Sequence, residues 1–472
     1  MDDPLDSHEP LALMMQALER AADDCGRREL LARADSIFVP KGMWPYSNPG
    51  ALIARQLGVE QARTGLATLS GSKVQQMVSA AARDIAEGRS QVTLVVGAEC
   101  ERSKRRAKRG GVALEWTEQL DSTPDEDFGP DGPLIDPIEV ERGLRQPAAV
   151  FSLFDNAMRH ARGESLEAHR ARISRLWSGF SEVAATNAYA WTREPLAAKE
   201  IGKPSPANRL VAHPYTMRLC SNMVVDQGAA LILCSEEMAD RLGIARDRRI
   251  YLHAASDLRK TLPLGSRTDL RSAPFMRHAG MRALSLAGVG IDEIAHLDLY
   301  SCFPAAVQLG MDAFGIDEDR VPTITGGLGF AGGPFNSYVL HSIATMMNVL
   351  REDPEELGLI SSIGGWLAKH AFGVYGARPP AQGFCYADCD LEALPIAARP
   401  FDANATGEAV IETYLLSFDQ GEPVGATFSC LFEDGRRNWA TSDDTALFEA
   451  MQREEFCGRA AHVRRGSVLE LP

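Results

Sequence analysis

A glycine-dense segment stands out in the second half of the chain: Gly326-Gly327-Leu328-Gly329-Phe330-Ala331-Gly332-Gly333-Pro334-Phe335-Asn336. Five of its first eight residues are glycine, a density that packing alone does not require. Glycine permits positive φ and the close approach of other atoms. A helix predicted over residues 337–351 would direct the positive end of its dipole at this loop. We therefore expect its backbone N–H groups to bind an oxyanion or a carbonyl oxygen.

Two further segments share the pattern of a strand that runs into a turn. They are Leu297-Asp298-Leu299-Tyr300-Ser301-Cys302-Phe303-Pro304 and Ser361-Ser362-Ile363-Gly364-Gly365-Trp366. Open α/β sheets place their ligand sites at such strand ends. The three segments together predict a site in the C-terminal half.

Composition excludes several classes of protein. The 472 residues, 45% of them hydrophobic, suffice for two or three domains. A net charge of −15 argues against a nucleic-acid partner. The nine cysteines are scattered, and the pair Cys385 and Cys389 has no histidine near it in sequence, which indicates reduced thiols in the cytoplasm and no metal site. Neither a long apolar run nor a signal pattern indicates a membrane partner.

Helices and strands alternate in both halves of the chain, which predicts parallel sheets. Predicted helices cover residues 8–26, 49–57, 73–88, 236–242 and 269–287, and predicted strands cover residues 36–39, 64–69, 92–96, 230–234, 249–253 and 295–299. Between the halves we expect an insertion with a loop over 123–137 and helices over 139–162 and 164–184. After a linker at 378–383, alternating strands at 407–418 and 425–432 predict a small β-barrel or OB-like appendage.

Four short blocks resemble conserved blocks of the thiolase family. They are Leu69-Ser70-Gly71-Ser72 for the nucleophile block, Tyr300-Ser301-Cys302-Phe303 for the Asn-Glu-Ala-Phe block, Gly332-Gly333-Pro334 for Gly-His-Pro, and Ser362-Ile363-Gly364 for Cys-x-Gly. The chain thus resembles the thiolase superfamily over about residues 8–376. It is most similar to the bacterial thiolase-like proteins of the acetyl-CoA acetyltransferase type, which carry an added C-terminal β domain.

The resemblance implies a five-layered α-β-α-β-α fold of two similar halves, with a helical loop-domain insertion and a small C-terminal OB-like β domain. Its expected parts are residues 1–103, 104–214, 215–376 and 377–472. The family's first strand has no counterpart before residue 8. Either the true start lies upstream, or this chain fills the central gap of the first sheet by another route, because a sheet without a central strand would leave N–H and C=O groups of both neighbours unpaired.

The resemblance also implies catalytic positions at Ser70, Tyr300, Ser362 and His370. Ser70 and Ser362 stand where the family has its two cysteines, and Gly333 stands where it has a histidine. A serine nucleophile needs a general base within hydrogen-bond reach, and the alternative role of Ser70 is a helix cap. Tyr300 either donates to an oxyanion or moves a proton, or it is a wall residue.

His370 either faces the pocket or packs in the core. Cys302 and Cys100 are alternative nucleophiles, although free cysteines are usually small buried hydrophobes.

Backbone N–H groups of Ser70, Gly333 and Gly364 are the expected oxyanion donors. For coenzyme A, the resemblance implies contacts from Lys104, Arg105 and Arg106 to the phosphates, and from Met223 near the pantetheine. The segment Lys104–Arg109 contains five cations in six residues. The alternative interpretation is a solvated loop, which is the usual role of such a charged run. A coenzyme A thioester is the expected substrate or ligand, with no covalently bound cofactor.

The expected function is that of a thiolase-like acyl-CoA-binding protein, an acyltransferase by resemblance, that lacks both catalytic cysteines and the histidine. One alternative is a non-catalytic acyl-CoA or lipid carrier. Another is an aldolase-like lyase that acts on a β-hydroxyacyl-CoA, with Tyr300 moving the proton. The resemblance further implies a possible homodimer, because thiolases generally pair through their N-terminal sheets.

Overall fold

A computed structural model describes residues 8–129, 135–260, 262–392 and 396–471. The strands are β1 (Ser36–Pro40), β2 (Arg63–Ala67), β3 (Val92–Cys100), β4 (Glu126–Asp127), β5 (Leu210–Ala212), β6 (Tyr215–Thr216), β7 (Asp226–Cys234), β8 (Tyr251–Leu258), β9 (Ile294–Asp298), β10 (Leu357–Gly364), β11 (Lys369–Gly376), β12 (Cys385–Asp388), β13 (Gly407–Asp419), β14 (Glu422–Leu431), β15 (Arg437–Ser442), β16 (Ala460–Arg464) and β17 (Val468–Glu470). The helices are α1 (Pro10–Cys25), α2 (Pro49–Leu57), α3 (Lys73–Ala86), α4 (Glu101–Gly110), α5 (Pro137–Glu141), α6 (Pro147–Ala161), α7 (Leu166–Thr186), α8 (Ala198–Gly202), α9 (Glu236–Arg241), α10 (Pro274–Ala287), α11 (Pro304–Phe314), α12 (Gly327–Phe330), α13 (Tyr338–Glu352) and α14 (Thr445–Met451).

Local sequence accounts for the N-terminal helices. In α1, Leu11, Met14 and Leu18 are buried along one face, as the spacing predicts, but Ala22 is buried in place of the predicted Ala21. In α2, the Asn48 side chain accepts a hydrogen bond from the backbone N–H of residue 51, Pro49 occupies the first turn, and Gly58 ends the helix at φ 71°. None of the helices in the described part of the chain is long and apolar enough to cross a lipid bilayer.

The first sheet has the order β4-β2-β1-β3-β7. Strands β1 to β4 are parallel, but β7 runs antiparallel to β3 along nine residue pairs. The prediction of a wholly parallel sheet is therefore wrong at β7. The sequence reading also placed this strand in the second half, whereas it completes the first sheet.

The described strands of the first sheet leave no central gap. Ile37 of β1 is in register with Thr64 of β2 on one side and with Leu94 of β3 on the other. All five residues of β1 are buried, as befits a strand covered on both faces. The pairing of β1 with both neighbours satisfies the backbone groups that a missing central strand would leave unpaired.

The second sheet has the order β12-β8-β11-β10-β9, with β10 and β11 forming an antiparallel hairpin. Helices α3 and α13 contact strands of both sheets and form the central layer. Helices α1 and α2 cover the outer face of the first sheet, and α10 covers that of the second. The five-layered α-β-α-β-α arrangement is confirmed.

The insertion differs from the sequence prediction in two respects. The helix predicted over residues 139–162 is two helices, α5 and α6, because Gly143 adopts φ 87° between them and Pro147 starts a new helix. The cationic run lies on helix α4 rather than in a loop, and Gly111 ends this helix at φ 65°.

The third sheet unites the C-terminal strands with a piece of the insertion. Strand β13 pairs with β14 and β16, β14 with β15, β15 with β17, and β17 with β16, so that five strands close on themselves. We call this closed set the C-terminal barrel; its classification as OB-like stays a prediction. Beyond it, Ser417 of β13 pairs with Ala212 of β5, which joins the insertion to the same sheet.

A buried arginine fastens the C-terminal barrel to the core. Arg437 of β15 donates to the carbonyl oxygens of Leu264, Gly265 and Arg267 at 3.0, 3.1 and 2.6 Å. Its guanidinium also pairs with Glu412 of β13 at 2.7 and 2.9 Å. Because the side chain of Arg437 has no exposed surface, these bonds must offset the cost of burying its charge.

Candidate functional site

The turn Ser70-Gly71-Ser72 lies at the start of α3 and contacts the end of β10; we call it the serine turn. A Cβ placed on Gly364 would overlap the Ser70 hydroxyl oxygen and would lie 3.0 Å from that of Ser72. The two hydroxyl oxygens are 2.9 Å apart and share a hydrogen bond. Two of the blocks that carry the resemblance, at positions 70 and 364, are therefore in contact.

Tyr300 covers the same turn. A Cβ on Gly71 would lie 2.6 Å from the Tyr300 hydroxyl oxygen and would overlap the carbonyl oxygen of Ile363. The backbone N–H of Tyr300 donates to the hydroxyl of Ser361 at 2.8 Å, which ties the residue to β10. Burial raises the pKa of the Tyr300 phenol far above its usual value. The phenol is therefore a hydrogen-bond donor rather than a base near neutral pH.

Ser362 lies on the same side of β10 as Gly364, because alternate residues of a strand face the same way. It is fully buried, and its hydroxyl donates to the carbonyl oxygen of Ala371 across the hairpin at 2.9 Å. Ser362 therefore lies near the serine turn, but its hydroxyl proton is used in a hydrogen bond between the two strands of the hairpin.

His370 faces away from Ser70, contrary to the possibility that it enters the pocket. It is the cross-strand partner of Ile363, whereas Gly364 is the partner of Lys369. Cross-strand partners share a face of the sheet, and the next pair shares the opposite face. Burial, together with the charge of Arg267, lowers the pKa of His370 to about 3. The imidazole is therefore neutral, with Nε2 3.3 Å from the carbonyl oxygen of Leu367.

Gly333 does not serve as the expected oxyanion donor in this structure. Its backbone N–H donates to the carbonyl oxygen of Asn222 at 2.8 Å. A Cβ at this position would lie 3.2 Å from the same oxygen. The bond holds the glycine loop against the segment that contains Met223, whose side chain is 44% exposed.

Sequence reasoning missed two lysines. Lys73, the first residue of α3, and Lys369, the first residue of β11, are 1% and 2% exposed. The Cβ of Lys369 lies 3.3 Å from the position of a Cβ on Gly364. Strand alternation through β11 could have indicated that Lys369, rather than His370, faces the serine turn. Two basic side chains beside the turn suit a ligand with a developing negative charge.

The basic helix α4 begins at the same edge of the first sheet as the serine turn. Strands β2 and β3 are parallel and are separated only by β1. Their carboxyl ends therefore lie on one edge of the sheet. Of the predicted phosphate contacts, Lys104 and Arg105 are exposed, and the Arg105 guanidinium pairs with Glu101 at 2.7 Å. Arg106 is half-buried.

The two cysteines considered as substitute nucleophiles are poorly suited to that role. Burial raises the pKa of the thiols of Cys100 and Cys302 well above the usual range. Each thiol therefore stays protonated near neutral pH, and only the thiolate is a strong nucleophile.

No protein-family model matches the chain. It is 25% identical over 134 residues to the benzoylsuccinyl-CoA thiolase subunit BbsB of Thauera aromatica, covering 28% of this chain and 32% of that subunit. It is also 25% identical over 328 residues to the acetyl-CoA acetyltransferase of Methanocaldococcus jannaschii, covering 65% of this chain and 75% of that enzyme. The chain therefore spans about a third of the first relative and three quarters of the second.

Among solved structures, the chain is similar to a monomeric SCP2-thiolase-like protein type 1 from Mycobacterium smegmatis. The two are 27% identical and superimpose with a TM-score of 0.84. The match covers 99% of this chain and 96% of the other, so it includes the insertion and the C-terminal barrel.

Proposed function

Because the chain belongs to the thiolase superfamily, we propose that it binds a coenzyme A thioester at the Ser70-Gly71-Ser72 turn without catalysing two-cysteine thiolysis. The observation that carries this proposal is the contact between Ser70 and Gly364. It preserves the meeting point of the family's nucleophile block and its Cys-x-Gly block, while a hydroxyl stands in place of the thiol.

The local chemistry supports binding over thiolysis. A serine hydroxyl is a weak nucleophile unless a general base lies within hydrogen-bond reach. Gly333 supplies no imidazole, and His370, which its pKa of about 3 makes a weak base, faces the opposite side of β11. The Ser70 hydroxyl is hydrogen-bonded to Ser72 rather than to either residue. The helix dipole at the start of α3 and the two buried lysines still favour a polarised thioester carbonyl.

The proposal is tested by calorimetry and by a thiolysis assay on the full chain. Acetyl-CoA and acetoacetyl-CoA should bind with sub-millimolar dissociation constants, while acetoacetyl-CoA plus coenzyme A should give no enzymatic turnover. A double variant, Lys104→Glu with Arg105→Glu, should weaken binding more at low salt than at high salt, since exposed charges are screened. Absence of binding to either thioester would contradict the proposed ligand. Robust thiolysis that Ser70→Ala abolishes would contradict the proposed lack of chemistry.

A second candidate function, cleavage of a β-hydroxyacyl-CoA, is favoured by the position of Tyr300. Its neutral phenol lies at the serine turn and could donate a proton to the enolate that forms when the carbon–carbon bond breaks. Tyr300→Phe removes only the hydroxyl and should abolish such cleavage while leaving thioester binding within about twofold. Equal cleavage rates for the two proteins would eliminate this role of Tyr300.

A further inference from the structure

We propose that His278, Cys389 and Glu392 form a transition-metal site suited to Zn²⁺. Their ligand atoms all lie within 4.8 Å of one another. His278 is on α10, and the other two residues lie in and just after the short turn that follows β12. The site lies on the outer side of the second sheet and shares no residue with the serine turn.

The ring nitrogen of His278 is available to a metal ion. Nε2 lies 2.9 Å from a carboxylate oxygen of Glu392, yet it makes no hydrogen bond with any described residue. The two atoms are close without being aligned as donor and acceptor. Donor atoms that share a tetrahedral zinc ion are separated by about 3.4 Å, given zinc–ligand distances near 2.0–2.1 Å. A shift of a few tenths of an ångström would therefore place both atoms around one ion.

The chemistry of the donor set selects the class of metal. Nitrogen, sulfur and carboxylate oxygen together suit zinc, whereas magnesium and calcium require oxygen ligands. The Cys389 side chain is fully buried. Zinc would bind the thiolate, so one proton leaves the site for each ion bound.

The carboxylate of Glu392 is already oriented. Nε of Arg282 donates to Oε1 of Glu392 at 2.8 Å, while the His278 ring approaches Oε2. One oxygen thus remains for the metal ion. Three protein ligands leave a fourth position for water, and the side chains of His278 and Glu392 are 26% and 31% exposed.

A second cluster with the same residue types provides a matched control. His160, Glu455 and Cys457 also bring their ligand atoms within 4.8 Å of one another. There, however, both oxygens of Glu455 accept hydrogen bonds from the buried guanidinium of Arg159, at 2.6 and 3.3 Å. Arg159 is fully buried, whereas Arg282 at the first cluster is 41% exposed and engages one oxygen of Glu392, so the charge of Arg159 opposes a cation more strongly. We therefore expect zinc at the His278 cluster and not at the His160 cluster.

Metal analysis of the full-length protein tests the proposal. After incubation with ZnCl₂ and gel filtration, mass spectrometry of the eluted protein should find one zinc per chain. His278→Ala and Cys389→Ser should each weaken zinc affinity by at least about 100-fold, because loss of even an outer-shell partner costs up to that much. His160→Ala and Cys457→Ser should leave the stoichiometry unchanged. Circular dichroism of each variant identifies any that fails to fold.

Cobalt titration distinguishes the site from adventitious binding. Co²⁺ added to the metal-free protein should give a thiolate charge-transfer absorption that Cys389→Ser removes and Cys457→Ser retains. Because His278 is partly exposed, His278→Gln should fold normally and still lose tetrahedral cobalt absorption. Absence of stoichiometric zinc in the wild-type protein would overturn the proposal. A cobalt spectrum that depends on Cys457 instead of Cys389 would overturn it equally.

Discussion

Gly364 and Ser70 approach so closely that the serine hydroxyl occupies the space a side chain at residue 364 would need. The two residues lie almost 300 positions apart in the chain, on β10 and before α3. Each therefore restricts what the other position can hold.

Gly364→Ala should destabilise the protein by about 1–3 kcal/mol, the usual cost of overpacking a filled site. Ser70→Gly in the same chain should recover part of that loss, because it removes the overlapping hydroxyl. The coupling between the two changes should be about 0.5–3 kcal/mol in denaturant unfolding. Gly425→Ala is the control, since a Cβ at position 425 meets no atom within 4 Å. Additive effects of the two substitutions would show that the contact has no energetic consequence.

Stability should depend on pH through His169, which lies between two carboxylates. Its Nε2 and Nδ1 are 3.0 Å from Asp155 and 2.8 Å from Glu164. Burial lowers the pKa of His169, but the bonds to Asp155 and Glu164 outweigh it and raise the pKa overall. A raised folded-state pKa adds stability below about pH 6.5, and this is lost as pH rises through the folded value.

The free energy of unfolding should therefore fall from pH 6 to pH 9 in the wild-type protein, and His169→Gln should flatten this slope. At pH 6 the substitution should cost about 3 kcal/mol, because it breaks a buried ion pair. His462→Gln removes an exposed imidazole that pairs with Glu408 and should leave the profile unchanged. An unchanged slope in His169→Gln would assign the pH dependence to other groups.

Stability at low pH should depend on Glu164, which belongs to the same cluster. Its bonds to His169 and Arg172 lower its pKa to about 2, against partial burial, which raises it. A depressed folded-state pKa adds stability above about pH 4.5, which is lost as pH falls toward 2. Glu164→Gln should therefore lose stability mainly above pH 4.5 and should converge with the wild-type protein near pH 2. Urea midpoints between pH 2 and 6 measure this, and a constant difference across the range would contradict it.

Arg437→Met should release the C-terminal barrel from the core. Removal of one partner from a buried ion pair costs about 3–5 kcal/mol and leaves Glu412 uncompensated. Limited proteolysis should then cut between the core and the barrel before the rest of the chain unfolds. Arg436→Met changes an exposed neighbour that pairs with Asp402 and should leave the proteolysis pattern as it is. Cleavage between the core and the barrel at the same rate in both variants would show that Arg437 does not hold the C-terminal barrel to the core.

The protein should be a monomer, because its own insertion covers the edge strand of the first sheet. Strand β4 pairs with β2, and both the backbone N–H and the hydroxyl of Thr64 donate to Asp125 at 2.8 Å. Asp125→Ala should loosen this cover and expose an unpaired strand edge. Sedimentation velocity should show concentration-dependent association of this variant, and none for the wild-type protein or for Asp121→Ala. A wild-type dimer would contradict the inference.

The sequence predicted the periodic elements well and the long-range pairings poorly. The apolar spacing of Leu11, Met14 and Leu18 defined α1 because it depends only on local geometry. The place of β7 was missed because it pairs with β3, from which the whole insertion separates it in sequence. Local sequence patterns do not indicate which distant strands pair. The proximity of His278 to Cys389 was missed for the same reason, since His278 lies on α10, far away in sequence.

At the candidate site, the backbone blocks were predicted better than the side chains. Ser70, Tyr300 and Gly364 meet as expected because turns at strand ends gather on one edge of a sheet. Of the two roles considered for His370, the pairing with Ile363 favours packing in the core, and alternation along β11 could have indicated this. The engagement of Gly333 by Asn222 depends on the conformation of two loops, which residue type does not reveal.

Because β5 is synthesised long before its partner β13, these two strands can pair only late in translation. Residues 210–212 leave the ribosome about 200 residues before Ser417, their partner. At about 5–20 residues per second, the nascent insertion waits on the order of 10–40 s with that strand edge open. A chaperone that shields exposed strands can bind this edge during the interval. A chain truncated before residue 407 would lack β13, so the edge of β5 would stay unpaired.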